Sequence, residues 1–194
     1  MSDSEAISRG RAAIDTAHAA DPVQRDGRPG EAVYADHLET WFRRLMPGAS
    51  AVLGLAARAQ HLERWVIARD TYPRDRPGYF AWRKAVQVRQ GKRVRELLEG
   101  KGIDPEDIEQ VATLVAKAAP RGDAAGQALE DAACLVFLES ELAAFAATHG
   151  DYTREKFIDI IKRTWAKMSP GGREMALGIT LDVGLAALVR EAVT

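Results

Sequence analysis

The chain has 194 residues, 46% of them hydrophobic and 28% charged, and a formal net charge of -1. Such a balance suits one well-cored domain and excludes a broad, sequence-blind nucleic-acid coat, which needs a large basic excess. A single cysteine, Cys134, excludes an internal disulfide framework and any cysteine-rich zinc site.

In chain order the sequence reads as helices throughout. The start, Met-Ser-Asp-Ser-Glu, lacks the apolar run of a secretory signal, and no later stretch reaches the roughly 20 apolar residues that span a bilayer. A cytoplasmic protein without membrane attachment is expected. Apolar residues recur every three or four positions, and no stretch alternates long enough to make a strand. Helix one is expected over residues 5–19, followed by a loop at Asp21-Pro22 and Gly27-Arg28-Pro29-Gly30. Helix two covers 32–45 and stops at Pro47-Gly48. Ser50 caps helix three, whose apolar face is Val52, Leu55, Ala59 and Leu62 and whose end lies near Trp65.

Residues 66–76 form a loop, because Tyr72-Pro73-Arg74-Asp75-Arg76-Pro77-Gly78 cannot continue a helix. Pro77 suits the first turn of helix four, which extends to about 99 and is ended by Gly100 and Gly102. Asp104-Pro105-Glu106-Asp107 starts helix five, which runs to about 118, and 120–126 is a loop. Helix six, 127–148, includes Ala132-Ala133-Cys134-Leu135-Val136-Phe137-Leu138, apolar on every face and therefore central. Cys134 reads as a buried structural thiol. Thr153 caps a seventh helix to 168, Ser169-Pro170 starts a short eighth, and Thr180 caps a final one through 193. The expectation is a single compact all-α, multi-helix domain over residues 1–194.

Residues 58–84 concentrate six arginines, one lysine, two tyrosines, two of the four tryptophans and His61. Guanidinium forks match phosphate or carboxylate oxygens, and aromatic rings stack on planar groups, so the run suits a surface that holds an anion. Arg64, Trp65, Arg69, Arg76, Tyr79, Trp82 and Arg83 are the expected substrate-binding set, interleaved around a Pro/Gly-shaped loop. The competing reading is an arginine–carboxylate network that holds the loop against Glu130 and Asp131. Arg89, Arg93 and Arg95 read as solvated or salt-bridged.

Asp131 shares a helix face with Leu135, Leu138 and Leu142 and so points inward, where a carboxylate needs a partner. It pairs with an arginine, complements the helix dipole, or serves with Glu130 as metal ligand or general base. His61 is either a hydrogen-bonded core or capping histidine or an acid–base group and ligand. Glu63 reads as a surface partner of an arginine, and His18 and His149 as solvated or dipole-complementing residues at helix ends. No P-loop, dinucleotide glycine pattern, nucleophile elbow, His-Glu-x-x-His or Cys-x-x-Cys occurs, so no organic cofactor is expected.

The order His37, His61, Asp131 on three helices is similar to the HD-domain phosphohydrolases. In that superfamily histidines and aspartates converge on a divalent metal that activates water and polarises a phosphoryl group. The resemblance implies metal ligands His37, His61 and Asp131, with Glu130 as a substitute, and catalytic roles for His61, Asp131 and Glu130. Leu62 stands where such an enzyme has its aspartate.

Four ordered motifs carry a second resemblance, over nearly the whole chain. They are Gln60-His61-x-x-Arg64-Trp65, Tyr72-Pro73-x-Asp75-Arg76-x-Gly78-Tyr79-x-x-Trp82-Arg83, Leu129-Glu130-Asp131-x-x-Cys134 and Trp165-x-Lys167-Met168-Ser169. They resemble the domain of unknown function 4202 family, which implies one intact helical domain and no particular chemistry. His61, Arg64, Arg76, Arg83 and Asp131 fall on those motifs, whereas the family pattern does not demand a histidine at His37. The functional expectation is a metal-dependent phosphohydrolase acting on a nucleotide-like or other phosphorylated small substrate. The alternatives are a non-catalytic module that binds a nucleotide, an RNA end or an acidic peptide, and an ion-paired scaffold whose function lies on an oligomer surface.

Overall fold

The computed structural model describes residues 2–193. The fold is all-α: α1 (Asp3–Ala19), α2 (Gly30–Leu45), α3 (Ala51–Arg58), α4 (Arg76–Leu98), α5 (Pro105–Val115), α6 (Ala124–Val136), α7 (Leu142–Thr148), α8 (Arg154–Lys167), α9 (Pro170–Leu177) and α10 (Val183–Val193). Among the described residues no helix is long and apolar enough to cross a membrane.

Local chemistry sets most boundaries. Ser2 and Glu5 form a reciprocal capping box on α1, and Ser50, Asp75, Asp104, Asp123, Thr153 and Ser169 each accept a backbone N–H at the start of their helices. Asp182, rather than Thr180, accepts from Leu185 N at the last helix. The expected loop at 24–29 is a small antiparallel hairpin, β1 (Gln24–Arg25) and β2 (Arg28–Pro29). Asp26 and Gly27 both have positive φ, the backbone of a tight two-residue turn for which Asp-Gly is favoured. Asp21 fastens this hairpin to α2: its carboxylate accepts from Val23 N at 2.9 Å and Glu31 N at 2.7 Å.

Two expected helices are cut short. Helix three ends at Arg58, not Trp65, because His61 and Glu63 take left-handed backbone and break the ladder. Helix six starts three residues early at Ala124 and is interrupted by a π turn, Phe137–Glu141, before α7. The widened turn directs Glu139 and Ser140 at α2, where Trp41 Nε1 donates to Glu139 Oε2 at 2.8 Å. Helix α2 packs on α6 at the centre; α3, α4 and α5 pack to one side and α8, α9 and α10 to the other. Ile14, Leu38, Leu55, Leu62, Leu98, Leu129 and Leu135 are wholly buried in the core.

Candidate functional site

Ending α3 early frees the segment after it to wrap over the helix ends. His61 then lies flat on Tyr34 of α2, with ring centroids 3.9 Å apart and planes within 9°. Arg64 Nη1 lies 3.0 Å from His61 Nε2. A guanidinium only donates, so Nε2 accepts and the imidazole proton sits on Nδ1. That Nδ1 faces Glu31 Oε2 at 3.8 Å. Burial, then Arg64, Lys117 and Arg83, hold His61 well below its ordinary range, so it is neutral. The Glu31 Oε2 atom is buried with no hydrogen-bond partner among the described residues, and burial pushes its carboxyl up to about 8. At neutral pH the site therefore holds an acid with its proton beside a neutral base.

Three adjoining cavities meet at His61 and Arg64. The largest, about 540 Å³, is a cleft between α4, α6 and α8. Arg64, Arg83, Lys117, Arg163 and Lys167 supply its cations, and Tyr34, Tyr79, Phe80, Phe137 and Phe145 its aromatic walls. The second, about 400 Å³, lies under the hairpin and includes Glu31, Trp65 and Glu141. The π turn carries Glu141 to Arg25 of the hairpin at 2.9 Å, and turns of this kind recur at functional sites. The third, about 50 Å³, is closed by Gln60, Trp82, Arg83 and Lys117.

The cations differ in what they hold. Arg64 and Arg83 form no ion pair among the described residues; Arg83 lies 5.9 Å from the Tyr79 ring centroid. Arg163 pairs with Asp159 on its own helix. Lys117 Nζ and Lys167 Nζ flank Glu130 at 3.6 and 3.7 Å. With Arg64 and Arg83 uncompensated, the cleft can accept a multiply charged anion, and its ring-lined walls can take a flat body.

The expected binding set divides. Arg64, Tyr79 and Arg83 line the main cleft, and Trp65 and Arg69 line the second cavity. Arg69 spends its donors on Tyr72 O and Pro73 O, which shapes the loop. Trp82 is 7% exposed and donates to Ile67 O, with Arg64 over its ring at 4.9 Å, so it is a wall rather than a free stacking surface. Arg76, at the start of α4, lies over Phe80 and lines none of the three cavities.

The expected metal set does not assemble. His37 engages the π turn instead: its Nδ1 lies 3.0 Å from Ser140 Oγ and 3.8 Å from Glu139. Asp131 accepts from Ser169 N, Ser169 Oγ and Gln127 Nε2, so it holds the start of α9 rather than an arginine or His61. Leu62 is wholly buried in the core. Among the described residues no three His, Cys, Asp or Glu side chains converge so as to hold a metal ion. Glu130 does reach the cleft, between the two lysines.

Other residues follow the simpler expectations. Glu63 pairs with Arg89 and Arg93, and Arg95 with Glu109. Cys134 is buried and its thiol is pushed up to about 12, leaving it inert. His149 Nδ1 lies 2.9 Å from the Phe145 carbonyl at the end of α7, which complements the helix end. His18 departs from expectation: it is wholly buried, and its Nε2–H donates to Arg58 O at 2.8 Å. The network alternative also relocates, since Arg58 is held by Asp15 and Asp36 rather than by Glu130 or Asp131.

Tyr34, Lys117, Glu141, Arg163 and Lys167 in the main cleft and Glu31 in the second cavity complete the site and escape sequence reasoning. Each sits far along the chain from the arginine-rich run. The one local sign was Asp26-Gly27, which announces the hairpin that brings Asp21 and Glu31 together.

A family model described as a domain of unknown function (DUF4202) matches residues 8–189. No curated protein and no solved structure matches the chain.

Proposed function

The chain belongs to the family described as a domain of unknown function (DUF4202), and from the cleft it carries we propose that it binds a small phosphorylated compound with a flat, partly apolar body. The phosphate lies against Arg64, Arg83 and Lys167, and the flat body lies along Tyr34, Tyr79 and Phe137. One observation carries the reading: Arg64 and Arg83 open onto a cleft of about 540 Å³ with no carboxylate paired to either among the described residues. A divalent cation, where one takes part, arrives on the phosphate oxygens rather than on a protein-built ligand set.

Calorimetric titration with inorganic pyrophosphate and with adenosine 5′-monophosphate tests this. Binding of either, weakened about tenfold or more in Arg64→Gln or Arg83→Gln, is the expected result, since a charged hydrogen bond contributes about 1.5–3 kcal/mol. No heat from either compound at millimolar concentration would overturn the reading.

Phosphoester hydrolysis in the same cleft draws support from the pairing of neutral His61 with protonated Glu31 beside the cations: once an anion draws Arg64 off His61 Nε2, that nitrogen is a base next to an acid at one anion site. Phosphate release from p-nitrophenyl phosphate, lost in His61→Asn, is the expected sign; asparagine suits the left-handed backbone there. A protein that binds pyrophosphate yet releases no phosphate from either ester retires the catalytic reading and leaves the binding one.

A further inference from the structure

We propose that Lys117 is a covalent amine: its Nζ condenses with an aldehyde or ketone group of a phosphorylated ligand in the cleft and forms an imine. The proposal rests on the anion-binding reading above. Lys117 stands where α5 stops, with φ +54. Lys117 N donates to Leu114 O at 3.1 Å and Ala118 N donates to Thr113 O at 2.9 Å. These are the paired bonds of a helix stop whose left-handed residue is usually glycine. A lysine at a glycine position bears backbone strain, and here its side chain lines both the large cleft and the small cavity beneath His61.

The surroundings suit an amine that sheds its proton. The Nζ atom is buried and has no hydrogen-bond partner among the described residues, although the side chain as a whole is 26% exposed. Burial lowers its hold on a proton and Arg83 adds to that, while Glu130 opposes both. A desolvated lysine beside another cation is a recognised route to a nucleophilic amine. Glu130 Oε2, at 3.6 Å, is placed to carry protons from nitrogen.

The step balances without an oxidant or reductant. The Nζ lone pair forms a C–N bond to the carbonyl carbon, and the C=O π pair moves to oxygen. Glu130 relays one amine hydrogen to that oxygen, giving a carbinolamine. The C–O bond then breaks, the nitrogen lone pair forms C=N, and the second amine hydrogen leaves with the oxygen as water. Arg83 and Lys167 hold the phosphate meanwhile.

Pyridoxal 5′-phosphate, an aldehyde with a phosphate and a flat ring, serves as the probe. The full-length protein is incubated with less than one equivalent, reduced with borohydride, and mapped by peptide mass spectrometry. Lys117 should be labelled at least about tenfold above Lys84, Lys92, Lys101, Lys156, Lys162 or Lys167, since an amine that sheds its proton attacks the aldehyde more readily than solvated ammonium groups do. Lys117→Gly should lose the adduct and keep its melting transition, because glycine suits that backbone; Lys117→Arg, which keeps the charge, should lose it too. Label spread over the surface lysines, or no label on Lys117 in protein that binds pyrophosphate, overturns the imine and leaves the binding reading intact. Equal labelling of Lys117 by pyridoxal and by its phosphate upholds the amine and overturns the anion reading.

Discussion

Glu31 keeps its proton to about pH 8 because its outer oxygen is buried without a partner, whereas an unfolded glutamate ionises near 4.5. Between those values the native protein holds one proton more than the unfolded chain. Stability therefore falls as pH rises through that window and stays lower above it. Glu31→Gln should flatten the response, and wild type should lose on the order of a few kcal/mol between pH 5 and pH 9 that the variant retains. Chemical denaturation at both pH values measures it; parallel losses in the two proteins would mean that Glu31 ionises as in water. Anion affinity should respond with the same sign. Above about pH 8 the new carboxylate lies in the wall beside His61, so pyrophosphate binding weakens in wild type and holds in Glu31→Gln. Neither behaviour was legible in the sequence, where Glu31 is one acid in the first turn of a helix. Its burial arises from Asp21 and the hairpin folding over it.

At the scale of elements, α6 turns two adjacent acids to different tasks. Glu130 faces the cleft lysines, and Asp131, about 100° further round, clamps the start of α9. Backbone spacing confirms the clamp: a Cβ at Gly172 would lie 2.7 Å from Asp131 Cγ. Asp131→Ala should cost about 2–4 kcal/mol, since Ser169 N and Oγ would lose a charged acceptor in a buried setting. Pyrophosphate affinity of the folded protein should stay as it was. Loss of affinity without loss of stability would return Asp131 to the site.

The helical period showed that Asp131 points inward but not toward which neighbour. Periodicity reports a face, and a partner 38 residues on is a tertiary matter. Helix starts were legible for a related reason: Ser50, Asp104 and Thr153 satisfy their own helices locally. The end of α3 was not, because His61 and Glu63 adopt left-handed backbone, which is uncommon for any residue but glycine. The π turn was equally hidden, since Phe137-Leu138 continue the apolar pattern through it.

For the molecule as a whole, a net charge of -1 conceals an uneven distribution. About half of the cations are ion-paired where they stand, and of the rest Arg64 and Arg83 line one cleft. The arginines of the run 58–84 show the division. Arg58 is 6% exposed and joins Asp15 of α1 to Asp36 of α2, with Glu39 at 3.8 Å, while Arg83 pairs with no carboxylate among the described residues. Composition marks both as members of one basic stretch; only the packing separates a residue that joins helices from one that faces a cleft without a paired carboxylate. Arg58→Met should therefore cost about 3 kcal/mol, because Asp15 and Asp36 would lose the buried cation that joins them, while Glu39 keeps Arg11 and Arg43 and Asp36 keeps Arg28. Arg83→Gln should stay within about 0.5 kcal/mol of wild type, having only the distant Tyr79 ring and no carboxylate to abandon among the described residues. Pyrophosphate affinity should divide the opposite way, falling in Arg83→Gln and holding in folded Arg58→Met. Its salt dependence should flatten in Arg83→Gln alone, since that substitution removes a charge the anion meets directly. Denaturation and titration on the two variants, side by side, measure both axes. If each variant loses stability and affinity together, the run is one structural network and the cleft has no dedicated anion site.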